Sequence, residues 1–194
     1  MRTLIAALML MAGFALPAKA VDWKPTFVSY STFTAPGAGN YAWALKNTST
    51  VYEIRVEKIE VGSCNDGTAV SGGLAQFELF AASSLTSGGT VQVSTYAHNS
   101  DSFPANVTAS TGPVSVVIEG KGTRQNPLLS PFVVNNDETA TADFVVSRDL
   151  RSDHTLPIIL PRDGTRALVL KQKKVGTGDI TAGCNYVRAE FTTK

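Results

Sequence analysis

Beyond its apolar leader, no stretch of this sequence sustains a 3.6-residue apolar period for three turns, which argues against long helices. β-branched and aromatic residues gather instead in short runs, and Gly, Pro, Asn and Asp cut those runs at short intervals. That pattern predicts an all-β chain of about nine or ten strands. They would form two antiparallel sheets packed face to face, a single jelly-roll-like β-sandwich.

The first strand is predicted over residues 26–33, closed by the turn Ala35-Pro36-Gly37-Ala38-Gly39. A second follows over 41–46 with Tyr41, Trp43 and Leu45 on one face, and Asn47-Thr48-Ser49-Thr50 turns the chain. The longest strand is predicted over 51–61. There Tyr52, Ile54 and Val56 alternate with charged residues, but Ile59 and Val61 continue one position out of phase. One extra residue near Glu57-Lys58 restores the inward face, which is the signature of a β-bulge. Further strands are expected at 74–81, 90–96, 114–118, 132–134 and 140–146, with 98–111 as a polar, exposed loop. Residues 158–160 lie between Pro157 and Pro161 and should form an edge. Asp163-Gly164 turns into a strand over 167–173. The cleanly alternating, proline-free run over 186–192 should sit centrally in its sheet.

The leader sets the compartment. Arg2, the apolar run over 4–16 and the closing Ala18-Lys19-Ala20 have the order of a secretory signal peptide, so residues 1–20 are read as a leader. The apolar run is too short to cross a bilayer as a helix, which needs about 20 residues. Residues 21–194 then form one domain that works outside the cytoplasm, in the periplasm or at the cell surface, with no transmembrane segment. Removing Arg2 and Lys19 takes the formal net charge from +1 to −1. Such a chain has no electrostatic footprint for nucleic acid. The short basic group of Lys171, Lys173 and Lys174 beside Arg166 reads as edge-protecting lysines.

Both cysteines, Cys64 and Cys184, fall after the leader, and in an oxidising compartment one bridge between them is the expected state. A loop of that length is worth on the order of 4 kcal/mol in the chain-entropy account.

Candidate chemistry is sparse. His98 and His154, the latter beside Asp153 and near Asp149, could start a hydrolase reading. No G-x-S-x-G elbow accompanies them, however, and the serines concentrate in turns and strand faces, so no enzyme and no cofactor are expected. The two histidines make no zinc motif. Asn135, Asn136, Asp137 and Glu138 pack four oxygen-bearing side chains into one turn and are weak calcium candidates, with Asn65-Asp66-Gly67 a smaller one; Asn and Asp also favour turns for backbone reasons alone. Glu53, Glu57 and Glu190 read as solvent-face residues paired across strands with Arg55 or Arg188. Among aromatics that could stack on a sugar, Trp23, Tyr30, Trp43, Tyr52 and Phe80, the alternation of Trp43 and Tyr52 points to the core. Trp23 lies outside the strands and is the ligand-binding candidate, or else covers an open end of the sandwich. The sequons Asn47-Thr48-Ser49 and Asn106-Val107-Thr108 follow a bacterial-type leader, so no glycan is expected on them.

Four stretches carry a resemblance of pattern. They are 44–47 leading into 52–61, 74–80 followed by Ser87-Gly88-Gly89-Thr90, the loop 102–112, and the pairing of 167–173 with 186–192. Together they resemble phage and bacterial structural proteins with a jelly-roll or related β-sandwich. The resemblance implies a non-catalytic structural role; the leader and the cysteine pair move that role from virion part to exported protein. The expected function is a structural or assembly subunit or a surface adhesion module, with protein partners or self-association. The alternative is a carbohydrate-binding module with a glycan ligand, and more remotely a small secreted hydrolase.

Overall fold

The computed structural model describes residues 26–64, 74–87, 90–92, 95–97, 104, 106–119, 127–135, 145–150, 158–173 and 183–194. The first strands are β1 (Thr26–Thr34), β2 (Tyr41–Asn47), β3 (Ile54–Ser63) and β4 (Leu74–Ser87). Short strands follow: β5 (Thr90–Gln92), β6 (Thr95–Ala97), β7 (Val107–Thr111), β8 (Val114–Ile118) and β9 (Phe132–Asn135). The last are β10 (Val145–Asp149), β11 (Ile158–Leu160), β12 (Ala167–Lys173) and β13 (Cys184–Thr193). A single 3-10 turn at Arg162–Gly164 is the only helical element among the described residues.

The strands form an all-β sandwich of two antiparallel sheets. One has six strands in the order β10-β3-β13-β1-β6, with β11 also on β3; the other has seven in the order β5-β7-β2-β12-β4-β8, with β9 also on β4. The alternation read in the sequence places Trp43, Phe77, Phe132 and Phe191 wholly inside, between the sheets. Phe33 of the six-stranded sheet meets Phe77 of the other edge-on, ring centroids 5.5 Å apart. Burying one such ring contributes about 3 kcal/mol, so these four aromatics anchor the two layers.

The predicted bulge is present. Pairing of β3 with β13 passes from Lys58↔Glu190 to Val56↔Phe191, so Glu57 is the extra residue that keeps both Val56 and Ile59 buried. β13 lies between β3 and β1 as a central strand, and β11 is an edge. At the far end of that ladder Cys64 and Cys184 face each other. Their Cα atoms are 5.1 Å apart, the disulfide joins them, and the Cys64 N–H donates to the Cys184 carbonyl at 2.9 Å. The bridge therefore staples two neighbouring strands at one register position.

Several sequence expectations are corrected. The run 90–96 supplies two strands in different sheets, since β5 pairs with β7 while β6 pairs with β1. The expected loop over 98–111 contains β7, whose Val107, Ala109 and Ser110 are buried between β5 and β2. Runs 167–173 and 186–192 do not pair: β12 lies between β2 and β4, and β13 lies in the other sheet. Tyr41 leaves the face of Trp43 and Leu45, because the register shifts between Leu170↔Trp43 and Lys171↔Tyr41 and leaves Ala42 as the extra residue. Strand β4 runs past Ala81 to Ser87 by placing a bulge at Ser83. The long strand starts at Ile54, later than expected, because the preceding residues are held in a turn.

Candidate functional site

Trp23, His98, His154, Asp153, Asn136, Asp137, Glu138, Asn65 and Asp66 lie outside the described residues, as does the leader. Asn135 closes β9 opposite Leu74, and Asp149 closes β10 opposite Lys58. Among the described residues no group of three His, Cys, Asp or Glu could hold a metal. Trp43 is fully buried, and Tyr52 is half-buried against the main core. Phe80 is not an exposed platform. It is buried in a second apolar cluster on the seven-stranded sheet with Ala44, Ala82, Ile118, Ala167 and Val169.

The turn before β3 is built around Asn47. Its side-chain amide donates to the carbonyls of Tyr52 at 3.0 Å, Pro161 at 3.2 Å and Leu160 at 3.5 Å, and its Oδ1 accepts the Ser49 N–H at 3.0 Å. Ser49 Oγ then accepts the N–H groups of Val51 and Tyr52. This Asx-type turn is a buried clamp between two loops. Asn47 is thereby unavailable as a glycan acceptor, whereas Asn106 is exposed in a turn.

The outer face of the six-stranded sheet is the most organised polar surface. Alternation on β13 aims Tyr186, Arg188 and Glu190 outward while Val187, Ala189 and Phe191 go inward. The register sets Arg188 between Tyr30 of β1 and Glu60 of β3, and sets Tyr186 between Thr32 and Gly62. Arg188 Nη1 binds Glu60 at 3.0 Å and Glu190 at 2.7 Å, and Lys58 pairs with Glu60 as well. Burial opposes ionisation of Glu60, but the hydrogen bond and charge of Lys58, and then those of Arg188, outweigh it and hold its carboxyl below its usual range. Folded Glu60 therefore releases its proton more readily than unfolded Glu60. Its contribution to stability is complete above the unfolded carboxylate pKa, about 4.3, and is lost as pH falls through the lower folded value. Glu60→Gln should make the acid limb of melting temperature against pH shallower than in wild type; two superimposable acid limbs would contradict this.

Beside this charged row lies an aromatic pair. Tyr30 and Tyr186 are partly exposed and stacked, with ring centroids 5.5 Å apart and planes 26° apart. The Tyr186 ring runs over Gly62 so closely that a Cβ there would sit 2.6 Å from Cε1. Gly62 is thus the residue that lets the ring lie across β3. Tyr30 was legible as a candidate aromatic. Tyr186 and Gly62 were missed, because their meeting depends on the β3–β13 register; the only sequence signal was that Tyr186 shares the face of Arg188 and Glu190.

A third region is formed by two interrupted sheet edges. β8 and β9 lie end to end along β4, and β10 and β11 lie end to end along β3. β9 packs against β3 and β10, so both interrupted edges belong to one side of the sandwich. No family model matches this chain, and comparison with curated proteins and with solved structures finds no match either.

Proposed function

We propose that this chain is an exported, non-catalytic β-sandwich that serves as a structural or assembly subunit, or as a surface adhesion module, by associating with copies of itself or with other proteins. The observation that carries this reading is the pair of interrupted edges, β8–β9 and β10–β11, which lie on one side of the sandwich and carry most of the large hydrophobic side chains left exposed among the described residues. Leu74, Val117, Leu128 and Val133 lie along the β8–β9 edge, and Val145 and Ile159 stand on β10 and β11. Among the described residues, Val51 is the only other large hydrophobic side chain left exposed. Leu74 and Val133 point outward from one sheet and Val145 and Ile159 outward from the other, so these side chains flank the edges rather than form one patch; an edge strand is itself a template for association.

A partner laid along one of these edges would cover about half of these side chains and contribute about 3 kcal/mol. That is below the lower end of the cost of association, so apolar contact alone does not sustain binding. The backbone groups on the outer side of β8 and β10 offer the rest, because an edge strand templates a further strand. The leader and the disulfide support export, since such bridges persist in oxidising compartments.

Light scattering tests the proposal on protein purified after export. Its mean mass should rise with concentration, and Val117→Lys combined with Val133→Lys should keep it monomeric without lowering its melting temperature. A monomer at the highest attainable concentration, or a double variant that associates like wild type, would sink the proposal.

A further inference from the structure

We propose that the outer face of the six-stranded sheet is a saccharide-binding platform built from Tyr30, Tyr186 and Arg188, and that it takes an uncharged pyranose of a glycan. The platform lies around β13, apart from the interrupted edges, and stands whether or not those edges associate.

Three observations carry it. The first is shape. The Tyr30 and Tyr186 rings are stacked with centroids 5.5 Å and planes 26° apart, wider than the about 3.5–4 Å of carbon atoms in direct contact. Together they cover more of the sheet than either would alone. Covering a bare glycine accounts for Tyr186, as an aromatic often shields a strand glycine from across the ladder. It does not account for Tyr30, which extends the same surface and stays partly exposed. The π-face of a tyrosine is electron-rich, and the C–H groups on one side of a pyranose ring are its natural counterpart.

The second observation is unspent hydrogen-bonding capacity. A guanidinium has five N–H donors, and both ion pairs of Arg188 use Nη1. The group therefore carries more donors than these two closest contacts use. Its side chain is 29% exposed and is held from two sides by Glu60 and Glu190, so the guanidinium is fixed in place before a ligand arrives. The exposed Thr32 hydroxyl, opposite Tyr186, adds a donor and an acceptor on the other side of the rings. Fixed polar groups beside an apolar shelf are what orient a hydroxylated ligand.

The third observation selects the class of sugar. Lys58 and Arg188 balance Glu60 and Glu190 on this face. A charge-balanced surface gives no attraction to a sulfated or uronate-rich polymer, whereas hydroxyl groups suit both its donors and its carboxylates.

Chemical-shift perturbation on the exported protein tests this with four probes at millimolar concentration: maltohexaose, cellohexaose, chitohexaose and a heparin fragment. At least one neutral oligomer should shift the amides of Tyr30, Thr32, Tyr186 and Arg188. Tyr30→Ala should weaken that binding about tenfold or more, and Tyr30→Phe, which keeps the ring, should stay within about twofold of wild type. If Tyr30→Ala fails to fold, Arg188→Lys carries the test. It keeps the charge, loses the planar fork, and should also weaken binding about tenfold. Silence with all three neutral oligomers, response to heparin alone, shifts confined to the β8–β11 edge, or full affinity in the folded variant would each overturn the proposal. The Val117→Lys and Val133→Lys double variant should bind the sugar like wild type, so failure of the platform and failure of edge association read out separately.

Discussion

Replacing both cysteines with serine should destabilise the protein by about 4 kcal/mol relative to the oxidised form, and lower its melting temperature by on the order of 10 °C for a domain of this size. The two residues are 120 positions apart in sequence, and the closed loop takes in strands of both sheets, β4 through β12. The native pairing does not depend on the bridge to be in register. Cys64 and Cys184 extend the β3–β13 ladder, and their own backbone hydrogen bond would remain. The loss therefore falls chiefly on the unfolded state, which regains the freedom that the cross-link removes. Reductant should lower the melting temperature of the wild type to that of the double-serine variant and leave the variant unmoved. A wild type indifferent to reductant would contradict this account.

Asn47→Ala should cost about 3 kcal/mol by a different route. Its amide serves the carbonyls of Tyr52, Leu160 and Pro161, and its carbonyl oxygen serves the Ser49 N–H, all at a side chain with no exposure. Truncation strands these backbone groups with little access to water, and each unsatisfied buried group costs about 1–3 kcal/mol. The effect is on the folded state and is local. Amide exchange should rise in residues 49–53 and 158–163 more than in β13. Asn47→Asp keeps the acceptor and loses the donors, so it should be destabilised as well. A melting temperature for Asn47→Ala within a degree of wild type would show that the clamp carries no weight.

What the sequence disclosed followed from period and punctuation. The phase slip between Val56 and Ile59 located the β3 bulge, the clean alternation over 186–192 located a central strand, and the flanking prolines located an edge at β11. Each of these is a property of one strand. What it hid depends on partners. β7 is rich in Ser and Thr and reads as a loop until β2 and β5 pair with it on either side. Residues 90–96 read as one run because nothing local marks a crossing from sheet to sheet. Tyr41 shares a period with Trp43 and Leu45, and only the extra residue at Ala42 turns it toward Lys171, whose ammonium lies 5.5 Å from its ring centroid. The same limit applies to the site. Tyr30, Tyr186 and Gly62 stand on three strands, and their meeting is a consequence of register. The exposed apolar residues Val117, Val133, Val145 and Ile159 sit in separate short runs, and only the order of strands brings them to one side.

Association through that side is the central claim, and hydrogen–deuterium exchange measured at low and at high protein concentration tests it most directly. The account predicts added protection at high concentration in 114–118, 132–135, 145–149 and 158–160, the strands of the interrupted edges, with no change in the opposite edge strands β5 and β6. Protection that does not vary with concentration, or that grows on β5 and β6 instead, would contradict it.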